Sequence, residues 1–426
     1  MPNPSIKVIE LFAGVGGFRL ALEGWKGNSC CSKYKTKLSN KIPFEVIYSN
    51  QWEPSTKLQH ANIIYSNRFN TNGHFDQDIH NIKSDMLPIK CNLLVGGFPC
   101  PDFSVGSLLK YSKGLAGKKG ELWFEIIRLL KELKEKNRKP EYLLFENVDR
   151  MLSSPAGQSG KDFSEILHTL DDLNYNVEWK VINAAEYGFP QRRKRVFVFC
   201  YCKESNLSSY YSKYSNEELL TDRGVISSAF PSNLPLNSNF QLKLNSKHHG
   251  KYKAAGLMIN GEITDQNYIS DSPNKTRTLN SILYKGSVDE EFYLNDQDIN
   301  KWKIAKGAKS ILREKNGHQY LWSEGAIPFP DVLDKPSRTI ITSEGGMSVS
   351  RTRHVILDKN GRYRRLIPIE LERLNMFPDD FTKHESITNN KRAFLMGNAL
   401  VVGIIERIGT NLSNIINNLS KSAKFE

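Results

Sequence analysis

The sequence predicts an α/β protein with a parallel, doubly wound sheet, followed by a second, smaller domain of short strands. Two observations support this prediction. Between residues 6 and 200, short apolar runs typical of strands alternate with helical stretches. After Cys202 the composition shifts to Ser, Asn, Lys and Tyr, and long apolar runs become rare.

The individual elements follow the chain in order. Strands are predicted at Ile6–Leu11, 46–49, 93–95, 142–145 and 196–202. Helices are predicted from Phe18 to Glu23 and over 121–134, where apolar residues recur at helical spacing. The stretch 393–419 returns to helical periodicity. In the second half, Asn260-Gly261 lies between β-prone residues and predicts a hairpin within 256–264.

Length and composition limit the class of protein. A chain of 426 residues exceeds most single cores, so two domains are expected. Hydrophobic residues make up 39% and charged residues 25%, as in soluble globular proteins. No apolar run reaches the roughly 18 residues of a membrane span, and the start, MPNPSIKVIELF, lacks the pattern of a signal peptide. We therefore expect a cytoplasmic protein that does not enter a membrane.

Cysteine spacing and net charge indicate which metal sites and binding partners to expect. None of the six cysteines forms a C-x-x-C pair, and no Cys/His group has zinc spacing, so no metal site is expected. Each cysteine is by default a small buried hydrophobe. The net charge of +13 favours a polyanionic partner, although a solvated basic surface explains the charge equally well.

Ligands of a doubly wound sheet bind outside the carboxyl ends of its strands. FAGVGG (12–17) follows the first strand, where glycines allow a tight turn and close approach of a ligand. The alternative is that the glycines are needed only for the turn and bind no ligand. Cys100 lies between Pro99 and Pro101, just after Gly96-Gly97. Such a rigid position suits a nucleophilic thiolate.

Two further features follow later strands. Glu146 in FENV can serve as a general acid beside a thiol, or as a capping residue with no role in chemistry. Arg193 and Arg195 in QRRKR are two apart, so both can face one site. Their guanidinium groups suit a phosphate or the edge of a polar heterocycle, and a basic surface strand is the alternative.

Several motifs occur in an order that is itself informative: ELFAGVGGFRLALE, GGFPCPDFS, ENV, QRRKR, KPSRTIIT (335–342), RRLIPIELERLNMFPDDF (364–381) and MGNALVVGI (396–404). With these motifs the sequence resembles the DNA cytosine-5 methyltransferases of bacteria over most of its length. Each match alone is weak, but their shared order makes coincidence very unlikely.

The resemblance implies a Rossmann-like mixed sheet that binds S-adenosyl-L-methionine. This catalytic domain would span 1–202 and be completed by 393–426, with a β-rich target-recognition domain and hinge at 203–392. The implied reaction methylates carbon 5 of a flipped-out cytosine in a specific sequence of double-stranded DNA. The implied setting is a restriction–modification system, with a cognate restriction endonuclease at the same site and the methyltransferase as a monomer.

The resemblance also implies the catalytic roles. Cys100 would attack carbon 6 of the cytosine, and Glu146 would bind the amino group and protonate N3. Arg193 and Arg195 would hold the ring oxygen and orient the other two side chains.

Cofactor contacts implied by the resemblance come from Phe12, Gly14, Gly16, Phe18, Gln51, Trp52, Asp78, Ile79 and Asn398. Trp52 would stack on the adenine. Gln51 stands where the family usually has a carboxylate on the ribose, so either Gln51 or Glu53 would make that contact. Ala399 stands where the family often has Ser.

DNA contacts are expected from three basic stretches. The stretch 104–120, with four glycines and four lysines, resembles the family's loop that closes over DNA, and a plain surface loop is the alternative. The stretches 350–354 and 247–249 are further candidates for contacts with the DNA backbone.

Three other functions fit part of the pattern. A tRNA cytosine-5 methyltransferase shares the motifs on a shorter chain, and the long stretch 203–334 favours DNA. A nucleotide-dependent oxidoreductase would have an acidic residue in place of Gln51. A catalytically inactive DNA-binding module would not require Cys100, Glu146 and both arginines together.

Overall fold

The computed structural model describes residues 5–25, 43–98, 121–155, 157–235, 242–244, 250–271, 276–315 and 317–422. Within them, a ten-stranded sheet has the order β3-β2-β1-β4-β5-β7-β6-β10-β11-β9. Its strands are β1 (Ile6–Leu11), β2 (Phe44–Asn50), β3 (His74–Phe75), β4 (Leu93–Gly96), β5 (Tyr142–Asn147), β6 (Tyr175–Asn183), β7 (Lys194–Cys202), β9 (Leu242–Leu244), β10 (Ala255–Ile259) and β11 (Glu262–Gln266).

In the described part of the chain, three two-stranded sheets accompany the large one. They pair β8 (Ser232–Asn233) with β12 (Ile269–Ser270), β13 (Lys309–Lys315) with β14 (His318–Glu324), and β15 (Val355–Leu357) with β16 (Tyr363–Arg365). The helices are α1 (Gly17–Glu23), α2 (His60–Arg68), α3 (Glu121–Glu135), α4 (Lys161–Asp172), α5 (Asn206–Tyr211), α6 (Asn216–Glu218), α7 (Val225–Ala229), α8 (Asp296–Lys306), α9 (Pro368–Leu374), α10 (Asn389–Asn398) and α11 (Val402–Ser422).

Helices cover both faces of the sheet, as the alternating sequence pattern predicts. Neighbouring strand residues point to opposite faces, so Val8 joins one hydrophobic cluster and Ile9 the other. The first cluster includes residues of α1 and α11, and the second includes residues of α3 and α4. Because both faces are buried, strands such as β4 and β7 read as mainly apolar runs in the sequence.

The expectation of parallel pairing is correct for β3, β2, β1, β4 and β5. It is wrong for β7, which runs antiparallel to both β5 and β6. The connection from β6 to β7 contains one short 3₁₀ turn, Ala184–Tyr187, and is too short for a helical crossover. The mixed sheet implied by the family resemblance is therefore what the structure shows.

The sheet continues beyond Cys202, where the composition changes. β10 pairs antiparallel with β6, and β11 and β9 extend the sheet further. The predicted hairpin is confirmed: Asn260 and Gly261 join β10 to β11 with φ values of 51° and 81°. The shift in composition thus does not mark the edge of the sheet, and the division at residue 202 stays a prediction.

The chain returns to the first part of the sheet through α10 and α11. Ile405 and Ile408 of α11 are buried in the same cluster as Leu20 and Leu22 of α1. Within the described residues, no single helix is long and apolar enough to cross a membrane. Taken together, α10 and α11 pass that test on length and composition, with a bend of 41° between them.

Candidate active site

The sheet register brings the ends of several strands to one edge. Leu11 of β1 lies opposite both Asn50 of β2 and Gly96 of β4, and Gly96 lies opposite Phe145 of β5. Because β7 is antiparallel, its beginning reaches the same edge, where Asn147 of β5 pairs with Val196. The glycine turn, Gln51, Gly97, Glu146 and Arg195 therefore share one side of the molecule.

The turn after β1 has a backbone that requires glycine. Gly14 and Gly16 have φ values of 56° and 87°, and the Gly16 N–H donates to the Ala13 carbonyl over 2.8 Å. A Cβ atom on Gly16 would lie 2.3 Å from the Phe69 ring of the neighbouring chain segment. A Cβ atom on Gly14 would meet no atom within 4 Å, so the backbone there faces open space that a ligand can fill.

Gln51 is bound to this turn. Its Oε1 accepts a hydrogen bond of 2.7 Å from the Gly14 N–H, and the residue is buried. The side chain of the other candidate, Glu53, accepts from the Ser55 hydroxyl over 2.7 Å. The oxygen of Gln51 thus holds the shape of the turn.

The segment around Asp78 is tied to the end of β2. The Asn50 side chain donates to the Gln77 carbonyl over 2.9 Å and accepts from the Gln77 N–H over 3.2 Å. Asp78 follows, and its Oδ1 accepts from the N–H and the ring of His80. Ile79 is buried beside it. Asn50 is a contributor that the sequence reasoning missed.

The remaining residues proposed for the cofactor differ in exposure. Phe12 has a φ of 54° and is partly buried, as is Trp52. Phe18 is buried in the cluster beneath the sheet. Asn398, the last residue of α10, is exposed.

Glu146 and Arg195 form an ion pair at the end of β5. The Arg195 Nε lies 3.1 Å from Glu146 Oε1, and the two side chains are 19% and 14% exposed. Glu146 Oε2 is 3.5 Å from the position that a Cβ on Gly97 would occupy. The carboxylate therefore faces the chain three residues before Cys100. Cys100, its two flanking prolines and the stretch 104–120 lie outside the described residues.

Arg193 lies close to this pair but bonds elsewhere. It is 2% exposed, and its Nη1 and Nη2 donate to the carbonyls of Ile340 and Gly397 over 3.2 and 3.0 Å. Burial, with the charge of Arg195, holds the pKa of Arg193 well below its ordinary value, while Glu146 partly opposes this. Its Nε is buried with no partner among the described residues. The two arginines are therefore neighbours with different bonding.

The segments that carry the later motifs meet through Gln191. Its amide donates to Asn375 Oδ1 over 2.9 Å and accepts from the Ile340 N–H over 2.9 Å. Asn375 donates in turn to the Met396 carbonyl over 2.7 Å. A Cβ on Gly397 would lie 2.4 Å from the Thr342 nitrogen, so the last motif packs tightly on the 335–342 segment.

A buried carboxyl lies directly before the glycine turn and was missed by the sequence reasoning. Glu10 accepts from the Tyr65 hydroxyl over 2.9 Å and from the Arg19 N–H over 3.3 Å. Burial raises the pKa of Glu10 to about 8, although these hydrogen bonds and the Arg19 charge lower it in part. The available signal was a charged residue inside the apolar run of β1.

The basic stretch 350–354 binds the protein itself. Arg351 donates to the carbonyls of Ala305, Gly307 and Gly325, and Arg353 donates to those of Ser343 and Ser348. His354 is buried between Glu344 and Ser337. The expectation that these side chains contact the DNA backbone is wrong for His354, and the two arginines are occupied. The stretch 247–249 lies outside the described residues.

No group of three His, Cys, Asp or Glu side chains within the described residues is arranged to hold a metal ion. The open face of Gly14 and the residues around it are the part of the edge suited to an organic cofactor.

The fold is similar to that of known methyltransferases. The solved structure of the S. pombe Dnmt2 methyltransferase superposes with a TM-score of 0.60 at 14% sequence identity, covering 97% of this chain and 100% of that one. At this identity the likeness concerns the fold alone.

Sequence comparison gives the family. The type II methyltransferase M.Sau3AI of Staphylococcus aureus is 42% identical over 421 residues, which cover 96% of both chains. M.HhaI of Haemophilus parahaemolyticus is 25% identical over 415 residues, covering 97% of this chain and 95% of the relative. The family model described as C-5 cytosine-specific DNA methylase matches residues 6–414. This chain belongs to that family of DNA methyltransferases.

Proposed function

We propose that this DNA methyltransferase works through a covalent bond between the Cys100 sulfur and a cytosine held at the edge of the sheet, with Glu146 and Arg195 as its other catalytic residues. The Glu146–Arg195 pair carries the proposal, because it lies beside Gly97 at the end of the strand that leads to Cys100. A carboxyl and a guanidinium group near the chain that leads to a cysteine match the polar edge of a pyrimidine.

Carbon 5 of cytosine lies inside the base stack and is a poor nucleophile, so the base must leave the duplex before it reacts. The Cys100 thiolate adds to carbon 6 while N3 takes a proton through the Glu146 carboxyl group. This saturates the 5,6 bond and makes carbon 5 enamine-like. S-adenosyl-L-methionine supplies an electrophilic methyl group to carbon 5. Loss of the carbon 5 proton to water and of the Cys100 sulfur then restores the ring, and N3 returns its proton to Glu146.

The two arginines have different roles in this proposal. Arg195 is half of the ion pair and can reach the ring oxygen of the cytosine with its remaining N–H groups. Arg193 uses both terminal nitrogens on backbone carbonyls of residues 340 and 397. We therefore assign Arg193 as a positioning residue that holds these two segments at the site.

The cofactor would bind over the glycine turn. The open space in front of Gly14 supports this assignment, and Gln51 keeps the turn in place. Phe12, Trp52, Asp78, Ile79 and Asn398 would surround the adenine and methionine parts, with Phe18 supporting the turn from below. Gln51 Oε1 accepts from the Gly14 N–H, whereas Glu53 uses only one carboxylate oxygen, Oε1, among the described residues, so we propose that Glu53 binds the ribose.

The substrate would be a specific sequence in double-stranded DNA. M.Sau3AI and M.HhaI are named type II methyltransferases, and their similarity supports a role in modification with a cognate restriction endonuclease. We propose that residues 1–202 and 393–426 form the catalytic domain of a cytoplasmic monomer. Residues 203–392 would then contain the hinge and the target-recognition domain.

Bisulfite sequencing of DNA from a host that expresses the chain tests this function. We expect 5-methylcytosine at one short recurring sequence, and none with Cys100→Ala, which should still bind DNA within about tenfold of the wild-type affinity. A parallel assay with labelled S-adenosyl-L-methionine compares duplex DNA with tRNA. Methylation of tRNA alone, or full activity of Cys100→Ala, would contradict the proposal.

A further inference from the structure

The β13–β14 hairpin is exposed on both of its faces. Among the described residues, these two strands pair only with each other. Large apolar side chains remain in solvent, with Ile311 at 47% exposure, Leu312 at 63%, Tyr320 at 43% and Leu321 at 64%. A two-stranded hairpin is marginally stable alone, and exposed apolar side chains of this kind mark binding surfaces.

The register divides the hairpin into two unlike faces. Residues directly opposite each other share a face, so Ile311 lies with Trp322 and Arg313 with Tyr320. Lys309 and His318 belong to the same face, which we call the cationic face; it comprises Lys309, Ile311, Arg313, His318, Tyr320, Trp322 and Glu324. The opposite face carries Ser310, Leu312, Glu314, Gln319, Leu321 and Ser323.

The positive charges of the cationic face are not neutralised. Within the described part of the chain, no carboxylate pairs with Lys309 or Arg313, and Glu324 pairs with Arg351 over 3.1 Å. The Arg313 Cζ lies 3.9 Å from the centre of the Trp322 ring. This cation–π contact holds the guanidinium group over the ring, and its N–H groups can still donate to a ligand.

The base of the hairpin is anchored. Arg351 joins Glu324 and the Gly325 carbonyl to the carbonyls of Ala305 and Gly307, on either side of the hairpin. Lys306, at the end of α8, is buried, and its Nζ lies 2.8 Å from Asp331 Oδ2. The hairpin therefore projects from a fixed base, which lowers the cost of ordering it on binding.

We propose that the cationic face of the β13–β14 hairpin lies in the major groove of the target DNA and that Arg313 reads a guanine there. The proposal rests on the function assigned above. Seven residues per strand span about 24 Å, and a major groove about 12 Å wide accepts a two-stranded ribbon. Arginine commonly donates two hydrogen bonds to O6 and N7 of guanine. Lys309 meets the phosphates, while Glu314 faces away from them.

Two variants at adjacent residues test the proposal. Arg313→Gln removes a charge from the cationic face, and Glu314→Gln removes one from the opposite face. Both positions are exposed, so both variants should fold, and circular dichroism melting checks this. Fluorescence anisotropy measures the affinity for the duplex identified by bisulfite sequencing and for a duplex of unrelated sequence.

Arg313→Gln should weaken binding of the target duplex roughly tenfold or more and the unrelated duplex by less than about threefold, because only a base contact distinguishes the two. Glu314→Gln should leave both affinities within about twofold. An equal loss on both duplexes, or no loss, overturns the assignment of Arg313. A larger loss for Leu312→Ser than for Arg313→Gln would place the opposite face on the DNA and overturn the proposal. Failure of the wild type to methylate any DNA would instead reject the function itself.

Discussion

Charged side chains serve different purposes at the edge of the sheet and in the region 306–354. At the edge, Glu146 and Arg195 are partly exposed and keep hydrogen-bonding capacity for a ligand. In the second region, Lys306 and Asp331 are buried against each other, and His354 is enclosed by Glu344 and Ser337. We therefore expect the same residue types to serve the proposed reaction at the edge of the sheet and to stabilise the fold in the second region. The difference is whether other groups of the protein already satisfy their hydrogen bonds and charges.

Asp331 is the centre of the buried charge network in the second region, which does not include the cationic face of β13–β14. It pairs with Lys306 and with Arg338, and it accepts from the Val355 N–H over 2.9 Å. Burial alone would raise the pKa of Asp331, but Arg338, His354 and Lys306 together lower it to about 2. The buried groups around Asp331 therefore bond to each other and are not available to DNA, whereas Glu146 faces the chain that leads to Cys100.

The largest effect on activity is expected for Glu146→Gln. The amide keeps the shape but cannot give a proton to N3, so kcat should fall by about 10²- to 10⁴-fold. DNA affinity should change by less than about threefold, since the proton is needed only during the reaction. Single-turnover methylation and equilibrium binding separate the two quantities. An equal loss in rate and affinity would mean that Glu146 has a structural role and does not transfer the proton.

The largest effect on stability is expected for Asp331→Asn. It breaks a buried ion pair and leaves Lys306 without its partner, at a cost of about 3–5 kcal/mol in the free energy of unfolding. Asp334→Asn, at an exposed position in the same segment, is the control and should have little effect. Because the folded pKa of Asp331 is low, its contribution is present above about pH 4 and is lost as the pH falls toward 2. Urea unfolding of the two variants at several pH values measures the stability cost and its pH dependence. Equal stability of Asp331→Asn and Asp334→Asn would contradict the role of the ion pair.

Glu10→Gln should change the pH dependence of stability. The folded protein holds a proton on Glu10 up to about pH 8, whereas the unfolded chain releases it near pH 4.5. Stability should therefore fall as the pH rises between these values, by up to about 1.4 kcal/mol per unit, and level off above. Glutamine cannot lose a proton, so this part of the decline should vanish in urea unfolding at pH 5 and 8.5. An unchanged slope would mean that Glu10 is ionised in the fold.

The smallest effect is expected for Arg353→Gln on DNA binding. Its guanidinium donates to carbonyls of its own loop, so the salt dependence of affinity should be unchanged although the melting temperature falls. Lys309→Gln on the cationic face should reduce the slope of log affinity against log salt by about 0.9. A reduced slope of log affinity against log salt for Arg353→Gln would mean that this arginine contacts DNA.

The sequence predicted β1, β2, β4, β5 and β7, but it gave no prediction for β6, where polar residues that are buried interrupt the apolar pattern. It also predicted the site edge, because parallel strands end on the same side and the polar motifs follow those ends. It missed the direction of β7 and the bonding of Arg193, whose partners Ile340 and Gly397 are 147 and 204 residues away. Spacing places Arg193 and Arg195 on one face but does not reveal which distant carbonyls approach them.

The same limit explains the result at 350–354, where the expected DNA contact is wrong for His354. A run of basic residues is typical of both DNA contacts and buried networks, and only the fold shows the carbonyls that occupy Arg351 and Arg353. The cationic face of β13–β14 is the reverse case. Its sequence has no basic run, yet strand register gathers Lys309, Arg313 and His318 on one side.

Trapping on a duplex that contains 5-fluorocytosine at the methylated position tests the central claim most directly. Fluorine cannot leave as the proton does, so the methylated ring should stay bonded to the Cys100 sulfur. Mass spectrometry should then show a protein–DNA adduct on the peptide containing Cys100 in the wild type, and none in Cys100→Ala. Methylation of the normal duplex without any trapped adduct, or an adduct on another residue, would contradict the account.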